Sequence, residues 1–346
     1  MKNLFLLLIA GLAAGCSATN IVSMTVTEPA PVELPSYLKR VGTVNRSMTS
    51  SKGGKTMDDI DKVLSAEGKN LDKDGAAECM AGLSDQLQQN SRFEAVISIK
   101  EEPLDNPNFG VFPSPMAWDK LATICASNKL DGLFVLEFYD TDSKVNYAMN
   151  NVTVKGPLGF DIPAIEHVVT VNTIIKTGWR IYDNTGKNII DEFVVTEGIT
   201  STGRGINPAK AAAAIMGRKQ AVNNISRSIG QSYANSIVPY RIRVKRDYYV
   251  KGSDNFKAAK RKAQTGNWDG AAELWQSETK NPKAKVAGRA HYNMAIINEI
   301  NGELDEAINW AKLAYENFND KIALRYVKIL NNRKAKNQIL ERQQQQ

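Results

Sequence analysis

A chain of 346 residues, 42% apolar and 23% charged, has the composition of a globular protein with room for one large domain or two modest ones. Its net charge of +7 fits an anionic surface such as lipid headgroups or cell-wall polymer, while the absence of aromatics interleaved with a basic stripe argues against nucleic acid. With two histidines, His167 and His291, neither near cysteines or carboxylates at metal-ligand spacing and neither with a Gly-x-Ser-x-Gly elbow, zinc and serine-hydrolase chemistry are disfavoured.

The chain opens with the three parts of an export signal. Lys2 supplies positive charge, Leu4 to Leu12 form an apolar run, and the small residues Ala13, Ala14 and Gly15 precede Cys16. A bilayer span takes about 20 apolar residues, so this run is too short to be a permanent helix. A peptidase cutting before a lipid-modified cysteine needs small side chains on its amino side. The segment resembles a lipoprotein lipobox, with Ala13 in the place of the commoner Leu and Leu12 one step further out. That resemblance implies a signal peptide over residues 1–15 and lipid, palmitate included, on Cys16. Acyl chains contribute about 0.8 kcal/mol per buried methylene, so several on one cysteine make a lasting anchor. Ser17, Ala18, Thr19 and Asn20 bring no acidic residue after the cysteine, which by the sorting rules of lipoproteins favours the periplasmic face of the outer membrane.

Past the cysteine, residues 16–250 read as an α+β domain. Ile21 to Thr27 alternates as a strand does, Glu28-Pro-Ala-Pro-Val-Glu-Leu-Pro35 interrupts, and Val41–Val44 is a second strand. Helical patterns follow over Met57–Glu67 and Gly75–Gln89, then a strand at Phe93–Ile99, a helix at Ala117–Ser127 and an apolar strand at Gly132–Tyr139. Strands come next at about Lys144–Lys155, Val168–Tyr182 and Ile189–Thr196, the last two joined through the turn residues Asp183 to Lys187. Asn207 caps a helix with Pro208 at its first position, running to about Ile237. Tyr240–Val250 alternates Tyr, Ile and Val with Arg and Lys, as an edge strand or an extended connector. Cys79 and Cys125 both fall in predicted helices, as a disulfide or as two buried thiols.

Two stretches imitate ligand loops. Ser51-Lys-Gly-Gly-Lys-Thr56 lies between a strand and a helix, but a phosphate-binding loop needs Gly where Thr49 stands. Gly203-Arg-Gly205 precedes the Asn207 cap, either as an anion-holding helix start or as a connector. Neither adds up to a catalytic constellation, so the chain is expected to be no enzyme and to need no cofactor or metal.

From residue 251 to 341 the strand signal ends and helices alternate with breaks. Gly266 aligns with Gly302, Trp268 with Leu304, Ala271 with Ala307 and Ala259 with Ala295. Small residues at such places let the two helices of a hairpin touch. The pattern resembles the tetratricopeptide repeat, with a period slightly above the usual length of about 34 residues and with Lys262 and Asn298 where Tyr is common. Two repeats span about Gly252–Phe318, Lys321–Leu340 reads as a capping helix, and residues 342–346 as a polar tail. The resemblance implies that Phe256, Lys260, Arg289, Tyr292 and Glu299 face a groove that takes a protein or peptide partner. The alternative is that the repeats pack on the first domain through Phe256 and Tyr292.

The larger domain has its own likeness. A strand at Val41–Val44, a helix ending in Leu-Gln-Gln-Asn-Ser-Arg-Phe93, a strand, and a helix leading into Asn-Lys-Leu-Asp-Gly-Leu-Phe134 are similar to the amino-terminal domain of TolB. The order also resembles the curli-secretion lipoprotein and the lipoprotein activators of peptidoglycan synthases. As a whole, with Val26-Thr-Glu-Pro-Ala-Pro-Val-Glu-Leu-Pro35 and Gly266-Asn-Trp-Asp-Gly-Ala-Ala-Glu-Leu-Trp275, the chain is similar to an uncharacterised lipoprotein family of Bacteroidota-type Gram-negatives. The expectation is a non-enzymatic outer-membrane lipoprotein acting as a periplasmic interaction or scaffold module. A ring-forming secretion component would need membrane strands, for which Val145–Val154 and Val168–Tyr182 are the candidates. A regulator reaching through the cell wall would need a long linker after Cys16, where only about five residues precede the first strand.

Overall fold

The computed structural model describes residues 18–47, 71–99, 112–157, 159–215 and 217–345. The predicted signal with Cys16, the helix expected at Met57–Glu67 and the loop at 51–56 lie outside the described residues. The chain divides into a sheet unit, Pro31–Val238, and a helical unit made from the residues up to Ala30 and from Pro239 onward. A single boundary near residue 250 was expected. The correction follows from pairing: β1 (Thr19–Glu28) runs antiparallel to β7 (Tyr240–Tyr249), from Thr19 opposite Tyr249 to Glu28 opposite Tyr240. That ribbon belongs to the helical unit.

In the sheet unit the strand order is β3-β2-β4-β5-β6, formed by β2 (Arg40–Asn45), β3 (Ala95–Ile99), β4 (Gly132–Lys155), β5 (Asp161–Asp183) and β6 (Asn188–Gly205). β2 is parallel to β3 and β4, and β4, β5 and β6 are antiparallel, so the sheet is mixed and the unit α+β. The apolar start of β4 is buried on both faces, as a near-continuous hydrophobic run should be. Phe134 and Leu136 join the core under α1 (Leu71–Gln88) and α4 (Arg218–Asn235), while Leu133 and Val135 join the core under α2 (Trp118–Asn128). α1 and α4 touch at glycines: a Cβ on Gly230 would stand 1.9 Å from the Cys79 carbonyl oxygen.

Two expected breaks differ. Gly132–Tyr139 and Lys144–Lys155 form one strand, because the ladder to β5 continues through Asp140, Thr141 and Asp142 despite their poor strand propensity. The helix expected from Asn207 to Ile237 is two, α3 (Pro208–Ala213) and α4. Asn207 caps α3 as its sequence demands, accepting the Lys210 N–H at 2.8 Å. Cys79 and Cys125 are free, buried thiols in the cores on opposite faces of the sheet, which settles the disulfide alternative.

Beyond β7 the chain is all helix: α5 (Asp254–Gln264), α6 (Trp268–Glu278), α7 (Ala284–Ile300), α8 (Leu304–Phe318) and α9 (Lys321–Gln344). The repeat read from small residues is physical. Ala259, Ala271, Ala295 and Ala307 are wholly buried where helices meet, and the aligned Gly266 and Gly302 turn the chain with φ of +81° and +87°. No helix among the described residues is long and apolar enough to cross a membrane.

Candidate functional site

The five residues expected to line a repeat groove are placed differently. Phe256, Tyr292 and Glu299 are 0%, 2% and 1% exposed, and Lys260 and Arg289 are half-buried. Phe256 sits in the core of the helical unit and Lys260 does not join the others. Arg289, Tyr292 and Glu299 do come together, around β7 and α9. The Tyr292 ring lies 5.4 Å from both Tyr249 and Tyr326, and the Arg289 guanidinium stands over Tyr249 while donating to the Lys251 carbonyl at 2.6 Å. Next to Tyr292, Asn293 holds the backbone of Tyr249 at both ends, accepting its N–H and donating to its carbonyl, each at 2.7 Å.

Glu299 is the electrostatic centre of that face. Arg246 of β7 donates to its two oxygens at 2.9 and 2.8 Å, Arg333 of α9 at 2.7 Å, and the Tyr326 hydroxyl also donates. Burial alone would push the Glu299 carboxyl up, but the bonds from Arg246, Tyr326 and Arg333 outweigh it and hold the group below the usual carboxylate range. The expected open groove is thus corrected: these side chains grip the protein's own strand β7 and helix α9. The resemblance to the tetratricopeptide repeat pointed to the inward face of α7 without revealing what fills the space before it. The extra signal was the pair of ten-residue alternating stretches at the two ends of the sheet unit, each lacking a partner there.

The sheet unit has a matching centre. A register shift between Leu136 and Phe138 turns Glu137 into the interior, where it is 0% exposed. Arg46 pairs with one oxygen at 2.8 Å, and Arg180 and the Tyr182 hydroxyl reach the other at 3.3 and 2.5 Å. The same cations bind the carbonyls of Pro113 and Ser114, and the Met116 N–H donates to Tyr182. Burial, and then the bond to Glu137, pushes the Tyr182 hydroxyl up to about 12. Both carboxylate oxygens are committed to pinning the segment after Phe112 to the sheet, so the cluster reads as structural.

What the sheet unit leaves open is an arm. β6 ends at Gly205, opposite His167, so from Asn150 and Glu166 outward β4 and β5 continue as a two-stranded ribbon for roughly 17 Å at about 3.4 Å per residue. Met149 is 63% exposed and Ile165 52%, on one face; Val154 and Ile162, paired across the ribbon at 43% and 46%, are on the other. Phe160 stands at the turn, 73% exposed, beside the Lys155–Asp161 ion pair. Tyr147 and His167 are hydrogen-bonded at its base. Of the segments proposed as membrane strands, Val145–Val154 and Val168–Tyr182, the outer half of the first lies in this arm, its inner residues pair with the start of the second, and most of the second is buried in the sheet. Gly203 and Gly205 lie in β6 under α3, and a Cβ on Gly203 would stand 2.1 Å from the Ala211 carbonyl oxygen. Their role is close packing. Among the described residues no group of three or more His, Cys, Asp or Glu converges as a metal site.

The family described as Domain of unknown function (DUF8603) matches residues 38–249, and that described as Domain of unknown function (DUF6340) matches residues 257–332. No curated protein matches the chain. Among solved structures, the PelC dodecamer from Paraburkholderia phytofirmans is 12% identical, covering 63% of this chain and 97% of its own, with a TM-score of 0.22. A putative neuraminyllactose-binding hemagglutinin homolog from Helicobacter pylori is 10% identical, covering 60% and 88%, with a TM-score of 0.27.

Proposed function

The chain belongs to the family described as Domain of unknown function (DUF8603), and we propose that it is a non-enzymatic lipoprotein of the outer membrane. In this reading lipid on Cys16 anchors it at the periplasmic face, and it works as an interaction or scaffold module. The observation that carries the proposal is the arm of β4 and β5. Folded domains rarely expose Met, Ile, Val and Phe side chains together on a projecting ribbon unless another surface covers them. The repeats, which suggested an interaction groove from sequence, supply the frame of the helical unit instead.

A photo-crosslinking residue placed at Met149 or Ile165 in intact cells tests the contact surface, with Lys257, exposed on α5, as the control position. Discrete crosslinks from both arm positions and none from Lys257 support the reading; equal labelling from all three sinks it. Cys16→Ser tests the anchor separately, with loss of palmitate labelling and release into the soluble periplasmic fraction as the expected result. A second reading, an oligomeric component of an envelope or secretion assembly, is favoured by apolar residues on both faces of the arm. Crosslinks between copies, in place of a different protein, select it.

A further inference from the structure

The sheet unit contains a groove of about 600 Å3 between α4 and the open side of β6. Its walls are Phe193 and Val195 from the strand and Ile225, Ile229 and Tyr233 from the helix. Asp191 accepts the Tyr233 hydroxyl at 2.9 Å, and Glu197 lines the groove further along the strand. The strand wall from Asp191 to Glu197 covers about 20 Å and the helix wall from Ile225 to Ser236 about 16 Å, so the two walls match in length. Trp179, stacked on Tyr233 at 4.8 Å, fixes the ring that forms the floor. Phe193 remains 54% exposed at the mouth.

β6 is the last strand of the sheet, and among the described residues Phe193–Gly198 has no backbone partner beyond β5. An edge strand beside an apolar groove under a helix can accept one more strand. Main-chain bonds then supply affinity, and alternate side chains enter the groove. Charge selects the occupant. The groove is lined by the carboxylates of Asp191 and Glu197 and by no cation, and β6 holds neither Lys nor Arg from Asn188 to Thr202. Two copies pairing through β6 would bring these acids near one another, which disfavours self-association there.

We propose that this groove binds an extended peptide segment of a protein partner by strand addition to β6. The alternation of lining residues defines the segment: a basic residue, two apolar residues and a second basic residue at alternate positions, facing Asp191, Phe193, Val195 and Glu197 respectively. The site is separate from the arm and does not depend on it.

The test uses the full-length protein in nonionic detergent and a fluorescent peptide, Lys-Thr-Val-Thr-Val-Thr-Lys, followed by anisotropy. Saturable binding is expected, weakened at least tenfold by Glu197→Lys and by Phe193→Ala. Both side chains are exposed, so the variants should keep the fold. The peptide with Glu in place of both Lys should bind Glu197→Lys more tightly than wild type. Saturating peptide should also slow amide exchange across Phe193–Gly198 by tenfold or more, which an ion held elsewhere on the surface would not do. Absence of saturable binding, equal binding of both peptides to wild type, or unchanged exchange in β6 would overturn the proposal. So would protection of β6 that arises from a second copy of the chain.

Discussion

Each unit buries one glutamate between two arginines and a tyrosine, yet the two centres close different surfaces. Glu299 joins β7, α7 and α9, so the inner face of the repeats is occupied by the protein's own strand and helix. Glu137 joins β2, β4 and β5 to the segment after Phe112 and leaves the arm and the β6 edge uncovered. Similar ionic chemistry thus completes one surface and leaves the other available. A buried charge pair is weak evidence of net stability, but removing one partner strands the others without compensation.

The largest effects should therefore come from breaking the closed face. Glu299→Ala leaves Arg246 and Arg333 without their carboxylate and should cost about 3–5 kcal/mol. Phe256→Ala empties a fully buried site and should cost about as much, roughly 3–5 kcal/mol. Amide exchange read separately on α7 and on β4 should show the loss in α7. Equal loss in β4 would mean that the two units do not respond separately. Glu137→Ala should reverse the pattern.

Acid sharpens the contrast further. Because the folded-state value of Glu299 lies below its unfolded one, its contribution is complete above the ordinary glutamate range, near pH 4.3, and is lost as pH falls through the lower folded value. The helical unit should lose stability below about pH 4.3 with a slope of at most about 1.4 kcal/mol per pH unit from this group. Glu299→Gln should flatten that slope; an unchanged slope would remove Glu299 from the account. Raised pH works in the opposite direction. Tyr182, pushed up to about 12, favours the folded sheet unit below the ordinary tyrosine range and loses that contribution as pH rises through its folded value.

The thiols give a milder probe that reports on the sheet unit alone. Burial pushes Cys79 up to about 12 and Cys125 to about 11, so at pH 8 neither presents much thiolate. Both should resist a disulfide reagent until the unit opens. Gly230→Ala, which forces α4 away from α1, should raise the labelling of Cys79 more than that of Cys125. The reverse order would place the weak point at α2.

Much of this arrangement was legible before the structure. Alternation located β1 and β7, the Asn207 cap fixed the start of α3, and aligned Gly and Ala residues disclosed the repeat. Pairing was not legible, because an alternating segment shows which side chains share a face and not which distant strand lies beside it. That is why Tyr240–Val250 read as an edge strand or connector and why β1 was assigned to the wrong unit. Glu137 escaped notice because its inward turn depends on a register shift against β5, and the β6 groove because it exists only once α4 lies across the sheet.

The smallest effect on stability belongs to the arm, and that smallness is its test. Met149→Ser/Ile165→Ser changes two side chains that are more than half exposed on a ribbon outside the core. Surface substitutions of this kind usually shift folding by no more than about 0.5 kcal/mol, so urea unfolding should match wild type. Crosslinking from the arm should nevertheless fall at least fivefold, because the same methyl groups would be the ones buried in a complex. A substantial loss of stability would instead assign those side chains to the fold of the free protein. An unchanged crosslink yield with unchanged stability would leave the open face of the sheet unit, rather than its arm, to carry contact. The contrast between a closed helical face and an open sheet face would then rest on the β6 groove.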